Sequence, residues 1–117
     1  MFGGMVDKPW TSAGAYVASD HACLFGLGCA GSPTPVRCGL TGARNGKAMR
    51  DYAGNGPIFG GGTDLVIYSN ANTNTNSFTN LGSTYTLPAG GGATTFFTGA
   101  KKFQPAEYEV FAIDPSA

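Results

Sequence analysis

Few side chains in this chain could do chemistry, and their spacing limits what they could do. The single histidine, His21, is followed by Ala22, Cys23 and Leu24, so a Ser-His-Asp or Cys-His arrangement built on it has no local support. A strand-opening residue is the simpler reading. Glu107 and Glu109 stand two apart, which on a strand puts them on one face. The paired carboxyls of glycoside hydrolysis come instead from separate elements, about 5 Å or more apart across a cleft. Gly26 to Gly31 satisfies G-x-G-x-x-G, but Ser-Pro-Thr-Pro follows where a helix would have to begin to hold a pyrophosphate. Gly42 to Lys47 is one residue short of a P-loop, and Ala48 stands where the magnesium-binding Ser or Thr belongs. Three cysteines, Cys23, Cys29 and Cys38, are odd in number and lack CxxC spacing, which argues against a disulfide framework or a zinc site. The expectation is a chain that is not an enzyme and carries neither metal nor cofactor.

Binding candidates are more numerous. Four of the seven basic residues, Arg37, Arg44, Lys47 and Arg50, fall in one short region. Arg44, Lys47 and Arg50 are the candidates for docking an acidic partner, set against the plainer reading of a solvated face. Ser69 to Asn76 alternates Asn with Ala or Thr, a composition that suits a surface turn. Asn72 and Asn74 are its binding candidates, with Trp10 as an anchor or as a platform for stacking a ligand. Calcium ordinarily requires several carboxylates, and the tract has none after Asp64.

Stepping from the side chains to what must hold them, the chain has 117 residues, enough for one domain with a real core. Charged residues make up 12%, about half the usual share, and seven acids cancel seven bases. No field steers such a chain onto nucleic acid. A nearly uncharged polar surface suits an exported protein or a subunit covered by partners. No basic start followed by an apolar run marks a signal peptide, and no apolar run is long enough to span a membrane. Membrane insertion is therefore not expected. The location expected by default is the cytoplasm, or an organelle or the exterior should processing precede Met1.

The positioning elements read as β. GPIFGGGTDLVIYSNANTNTNSFTN, from Gly56 to Asn80, sets a three-glycine corner, Gly60-Gly61-Gly62, before a central strand from Thr63 to Tyr68 that is apolar on both faces. Asp64 is expected to accept N–H groups of the preceding turn. Phe2 belongs to a strand, residues 10–20 to a loop, His21 to Leu27 to an inner strand, and Gly26 to Pro35 to a turn leading into a strand over Val36 to Leu40. Asn45-Gly46 is a turn signal, and Ala48 to Tyr52 is a strand or one helical turn. Ser77 to Leu87 and Ala93 to Phe97 read as a hairpin, Thr98 to Phe103 as a turn containing Gly99, and Glu107 to Ile113 as a final strand running into the core.

Together FGGGTDLVIYSNANTNTNSFTNLGSTY and FFTGAKKFQPAEYEVFAI resemble the TLDc domain, in the form found in protist BTB- or kelch-type proteins. Phe2-Gly3-Gly4 with Trp10 is similar to that family's FGG segment and following tryptophan. His21 to Leu27 resembles its apolar strand, Gly56 to Asp64 its GPxFGGGHDL element, and Phe97 to Ile113 its ending. Thr63 stands where related sequences often have His. The resemblance implies a mostly β fold, a two-sheet antiparallel β-sandwich with little helix. Gly60, Gly61, Gly62, Asp64, Gly99 and Glu109 are the expected structural positions. It implies a protein-interaction module without established catalysis, whose animal and yeast relatives are associated with oxidative-stress resistance and with the vacuolar proton-pumping ATPase. The family domain carries further residues upstream, so a single domain over 1–117, incomplete at its N-terminal side and lacking the opening strands, is expected. Its exposed edge would be completed by self-association, a partner chain or an upstream segment. The alternative reading is a lectin-like sandwich binding carbohydrate or another small ligand through the Asn/Thr tract.

Overall fold

β-branched and aromatic runs, broken every few residues by Gly, Pro or Asn, make short strands here rather than long ones. The computed structural model describes residues 1–11, 14–41, 44–50, 52 and 55–111. Its strands are β1 (Phe2–Met5), β2 (Tyr16–Val17), β3 (Cys23–Cys29), β4 (Ser32–Gly39), β5 (Met49–Arg50), β6 (Ile58–Phe59), β7 (Leu65–Val66), β8 (Ser77–Thr79) and β9 (Lys102–Phe103). Among the described residues, helix is confined to two 3-10 turns, Arg44–Lys47 and Ala71–Thr73. All strand pairs are antiparallel and form two sheets, ordered β1-β3-β4 and β2-β5-β6-β7-β8-β9. The expected mostly β, two-sheet antiparallel architecture with little helix is what the chain adopts.

The core lies between the sheets. Leu24 of β3 and Cys38 of β4 meet Phe59 of β6, Leu65 of β7 and Tyr85 in one buried cluster. Phe2 of β1 stacks on Phe97 with ring centroids 4.8 Å apart and meets Phe103 of β9 edge-on at 5.3 Å. One aromatic side chain thus ties the smaller sheet to the last strand of the larger. Side chains of this size each contribute about 1.5–3 kcal/mol when buried, so this contact does much to hold the layers together.

β3 is the inner strand that its two apolar faces predict, and β7 has neighbours on both sides, as a central strand should. The regular part of β7 is shorter than expected, because Thr63 is drawn into the turn after β6 with φ 58° and only Leu65 and Val66 pair regularly. Other expectations are corrected. Ser32 to Pro35 is not a turn but the first half of β4; β4 is an edge strand, where the missing proline donors can face solvent. Residues 10–20 contain β2, which pairs Tyr16 with Arg50 and Val17 with Met49. The hairpin does not form. Residues 93–98 run through consecutive turns that drive Phe96 and Phe97 into the core, and β8 pairs with β7 and β9 instead. Residues 107–111 form no strand and are exposed, with Val110 at 73% and Phe111 at 75%. Within the described part of the chain, the expected final strand has no neighbour to pair with; Ala112 and Ile113 lie outside it.

Candidate functional site

The turn joining β6 to β7 is fixed from inside by Asp64. Its carboxylate is fully buried and accepts the N–H of Thr84 on both oxygens at 3.1 Å and that of Tyr85 at 3.0 Å. These donors come from the loop over 81–85, across the sheet, and not from the preceding turn as expected. Gly60, at φ 92°, packs where any Cβ would collide with the Asp64 carboxylate, so only glycine turns the corner there. Burial holds the Asp64 carboxyl above its ordinary value, opposed by the backbone N–H groups around it. The Thr84 hydroxyl accepts the N–H of Gly61 at 2.9 Å, and the Tyr85 hydroxyl donates to the Ala48 carbonyl at 2.5 Å. Desolvation pushes the Tyr85 phenol up, with the Asp64 charge adding to it. The result is a rigid floor running from Ala48 to Tyr85.

On that floor sits a cluster of cations and rings. Tyr16 of β2 directs its hydroxyl to the Gly61 carbonyl at 3.4 Å. The stem of Lys47 packs against Gly61, where a Cβ would come within 2.7 Å of its Cδ. Lys47 Nζ lies 5.3 Å from the Tyr16 ring centre, and the Arg50 guanidinium lies 5.1 Å from Tyr16 and 4.5 Å from Tyr52. Such contacts contribute about 0.5–1 kcal/mol each when exposed. More usefully, they fix the guanidinium between two rings that are themselves half exposed. Arg50 Nε is buried without a hydrogen-bond partner in this structure. A guanidinium held in this way presents its fork to a carboxylate. What the cluster offers chemically is recognition of an anion by fixed cations beside aromatic faces.

The structure divides the other sequence candidates. Arg44 opens the 3-10 turn that carries Lys47, so turn and β5 together bring Lys47 and Arg50 to one place. Arg37 lies on β4 of the other sheet and does not join them. Asn72 and Asn74 belong to the turn after β7. The Asn74 amide donates to Ser69 and Asn70 carbonyls at 3.2 and 2.9 Å and accepts the Asn76 N–H at 3.0 Å, while the Asn72 carbonyl accepts from Gln104 at 2.7 Å. Asn74 is thereby spent on its own turn. Trp10 packs edge-on against Phe59 at 5.7 Å, at the opposite end of the β6–β7 hairpin. Gly99, at φ 85°, ends the turns over 93–98 by donating to the Thr95 carbonyl. Glu109 is exposed on the unpaired segment.

His21 is exposed in a shallow cleft that Asp7 and Ser19 also line. Ser19 Oγ donates to Asp7 at 2.6 Å and accepts the backbone N–H groups of His21 and Ala22 at 3.2 and 3.0 Å. The Ser19 hydrogen bond is the main cause that lowers the Asp7 carboxyl. This serine closes a turn and makes no nucleophile–base contact with the imidazole. Among the described residues, no group of three or more His, Cys, Asp or Glu is placed to hold a metal ion. No helix among them is long and apolar enough to cross a membrane.

Sequence reasoning missed both tyrosines of the cluster. Tyr52 stands two residues past Arg50, the strand spacing for one face, and could have been found. Tyr16 reaches Arg50 only through the β2–β5 pairing, which no local pattern announces.

Comparison with known proteins adds one positive finding: the sequence model of the TLDc domain matches residues 1–114. No curated protein and no solved structure matches the chain.

Proposed function

The chain belongs to the TLDc domain family, and on that premise we propose that it is a non-catalytic protein-interaction module, a subunit or accessory part of a larger protein assembly. The observation that carries this reading is the solvent-exposed run over 107–111. It leaves Tyr108, Val110 and Phe111 in water and forms no strand pair with any described residue. Exposed apolar side chains on β-forming backbone are the means by which chains add to one another's sheets. A charge content of 12% fits a surface that is covered in use. By analogy with the family, binding to a vacuolar-type ATPase and protection against oxidative stress are the finer forms of this role, with the protist BTB- or kelch-associated type as the subtype and the cytoplasm as the setting. The test is affinity capture from the native source followed by mass spectrometry. One dominant large assembly is expected, and recovery of the chain without any co-purifying protein would sink the proposal.

A further inference from the structure

Two surfaces of this molecule are chemical opposites. One is the Tyr16–Lys47–Arg50–Tyr52 cluster, cationic and aromatic, at the β2 end of the larger sheet. The other is the segment over 107–111, Glu-Tyr-Glu-Val-Phe, exposed and outside any strand pair among the described residues. We infer that the segment of one copy docks on the cluster of a second copy, so that two chains associate by reciprocal exchange of their 107–111 segments. This rests on the reading of the chain as an interaction module and names the partner as the chain itself.

Geometry and charge both support the pairing. In an extended strand Glu107 and Glu109 point to one face, about 7 Å apart. Lys47 Nζ and the Arg50 guanidinium both lie over the Tyr16 ring, 5.3 and 5.1 Å from its centre, so one pair of such glutamates can address both cations. Phe111 comes next on the same face and meets the Tyr52 ring. Among the described residues β2 pairs only with β5, which leaves its other edge as the place for main-chain hydrogen bonds from the arriving segment.

The exchange runs between copies because one copy cannot readily satisfy itself. Its segment leaves from β9, at the far edge of the same sheet from β2. With strands about 4.8 Å apart, Arg50 on β5 lies roughly 19 Å away and Tyr16 roughly 24 Å, whereas Glu107 is only four residues past Phe103, a reach of about 14 Å, so Glu107 and Glu109 do not both come to the cluster within one copy. Reciprocal exchange satisfies both sites at two copies and closes the assembly. Segments this short bury little area, so the dissociation constant is expected on the order of 10–100 μM.

The experiment is sedimentation velocity on the full chain from about 1 to 500 μM, with Lys47→Glu/Arg50→Glu and Glu107→Lys/Glu109→Lys as charge-reversed variants. Each variant alone is expected to weaken dimerisation at least tenfold. An equimolar mixture of the two is expected to recover wild-type affinity within about threefold, because each segment then faces a cluster of opposite charge. Raising salt should weaken the wild-type dimer. Should the cluster variant fail to fold, the segment variant still decides, since residues 107–111 are exposed and form no strand pair with any described residue. A wild-type chain that is monomeric at the highest concentration overturns the inference, as does a dimer that Glu107→Lys/Glu109→Lys leaves intact. If such a monomer still captures a dominant assembly from its source, this inference fails while the proposed function stands.

Discussion

Asp64 to Tyr68 and Glu107 to Phe111 both open on a carboxylate and are rich in β-forming residues, DLVIY and EYEVF, the second with a further acid at Glu109. The first lies in the middle of a six-stranded sheet, with Asp64, Leu65 and Val66 fully buried. The second is exposed to water and forms no strand. Local preference is similar in the two, so it cannot account for the difference. Neighbours account for it: β6 and β8 flank β7, and the loop over 81–85 brings two N–H groups to the Asp64 carboxylate. Strand propensity in this chain is a permission that a partner strand has to take up.

The largest effect is expected where that partnership is removed. Asp64→Ala leaves the Thr84 and Tyr85 N–H groups buried without an acceptor and should destabilise the fold by about 3–5 kcal/mol in denaturant titration. The matching change Glu109→Ala should cost less than about 0.5 kcal/mol. Comparable losses at the two acids would break the contrast.

Next in size is Tyr85→Phe, which deletes the hydroxyl donated to the Ala48 carbonyl. A loss of about 1–2 kcal/mol in thermal or chemical unfolding is expected, because the carbonyl loses its partner in a closed site.

Acid titration sharpens the comparison by sign. Burial raises the Asp64 carboxyl in the folded state, so the unfolded chain ionises first as pH rises, and stability is lost across that window. Acidification from neutral toward the ordinary carboxylate range should therefore raise wild-type stability relative to Asp64→Asn. Asp7 runs the other way. Its carboxyl is lowered by Ser19, so its contribution is present above the ordinary value and fades as pH falls through the folded one. Difference curves for Asp64→Asn and Asp7→Asn should slope in opposite directions, and parallel slopes would contradict the structure.

The smallest effect belongs to the unpaired segment. Val110→Pro removes a donor and fixes the backbone, yet with no strand to break the stability of the monomer should move by less than about 0.5 kcal/mol. A loss of a kcal/mol or more would mean that the segment is paired within the folded chain.

What could be read from the sequence follows the same division. The inner position of β3 and the central position of β7 were legible because both faces are apolar. The sandwich class followed from the TLDc resemblance together with short strands bounded by turn residues. The hairpin of Ser77 to Leu87 with Ala93 to Phe97 was misread because ATTFF has strand composition, while the core takes both of its phenylalanines from turns. A strand side chain pair of neighbours points to opposite faces; Phe96 and Phe97 need the same interior, and a turn supplies it. Ser32 to Pro35 was misread because proline signals a turn locally, whereas its tolerance on an edge depends on sheet order. For the candidate site, Lys47 and Arg50 were legible as a basic group. Their rings were not, since Tyr16 arrives across the β2–β5 pairing, and the floor beneath them depends on Asp64 reaching residues about twenty positions away.

Pro33 and Pro35 on β4 have a consequence for behaviour at high concentration. Pro35 stands opposite Leu27, whose N–H goes to the Met1 carbonyl on the far side, so its donorless nitrogen faces the open edge, and Pro33 lies in the irregular pairing just before it. A further chain arriving along that side finds carbonyls without alternating N–H groups and cannot continue the ladder, so lateral growth into cross-β fibres is blocked there. Replacing both with threonine would restore the donors. The protein should then shift from clear solution to thioflavin-positive aggregate at concentrations where the natural sequence stays soluble.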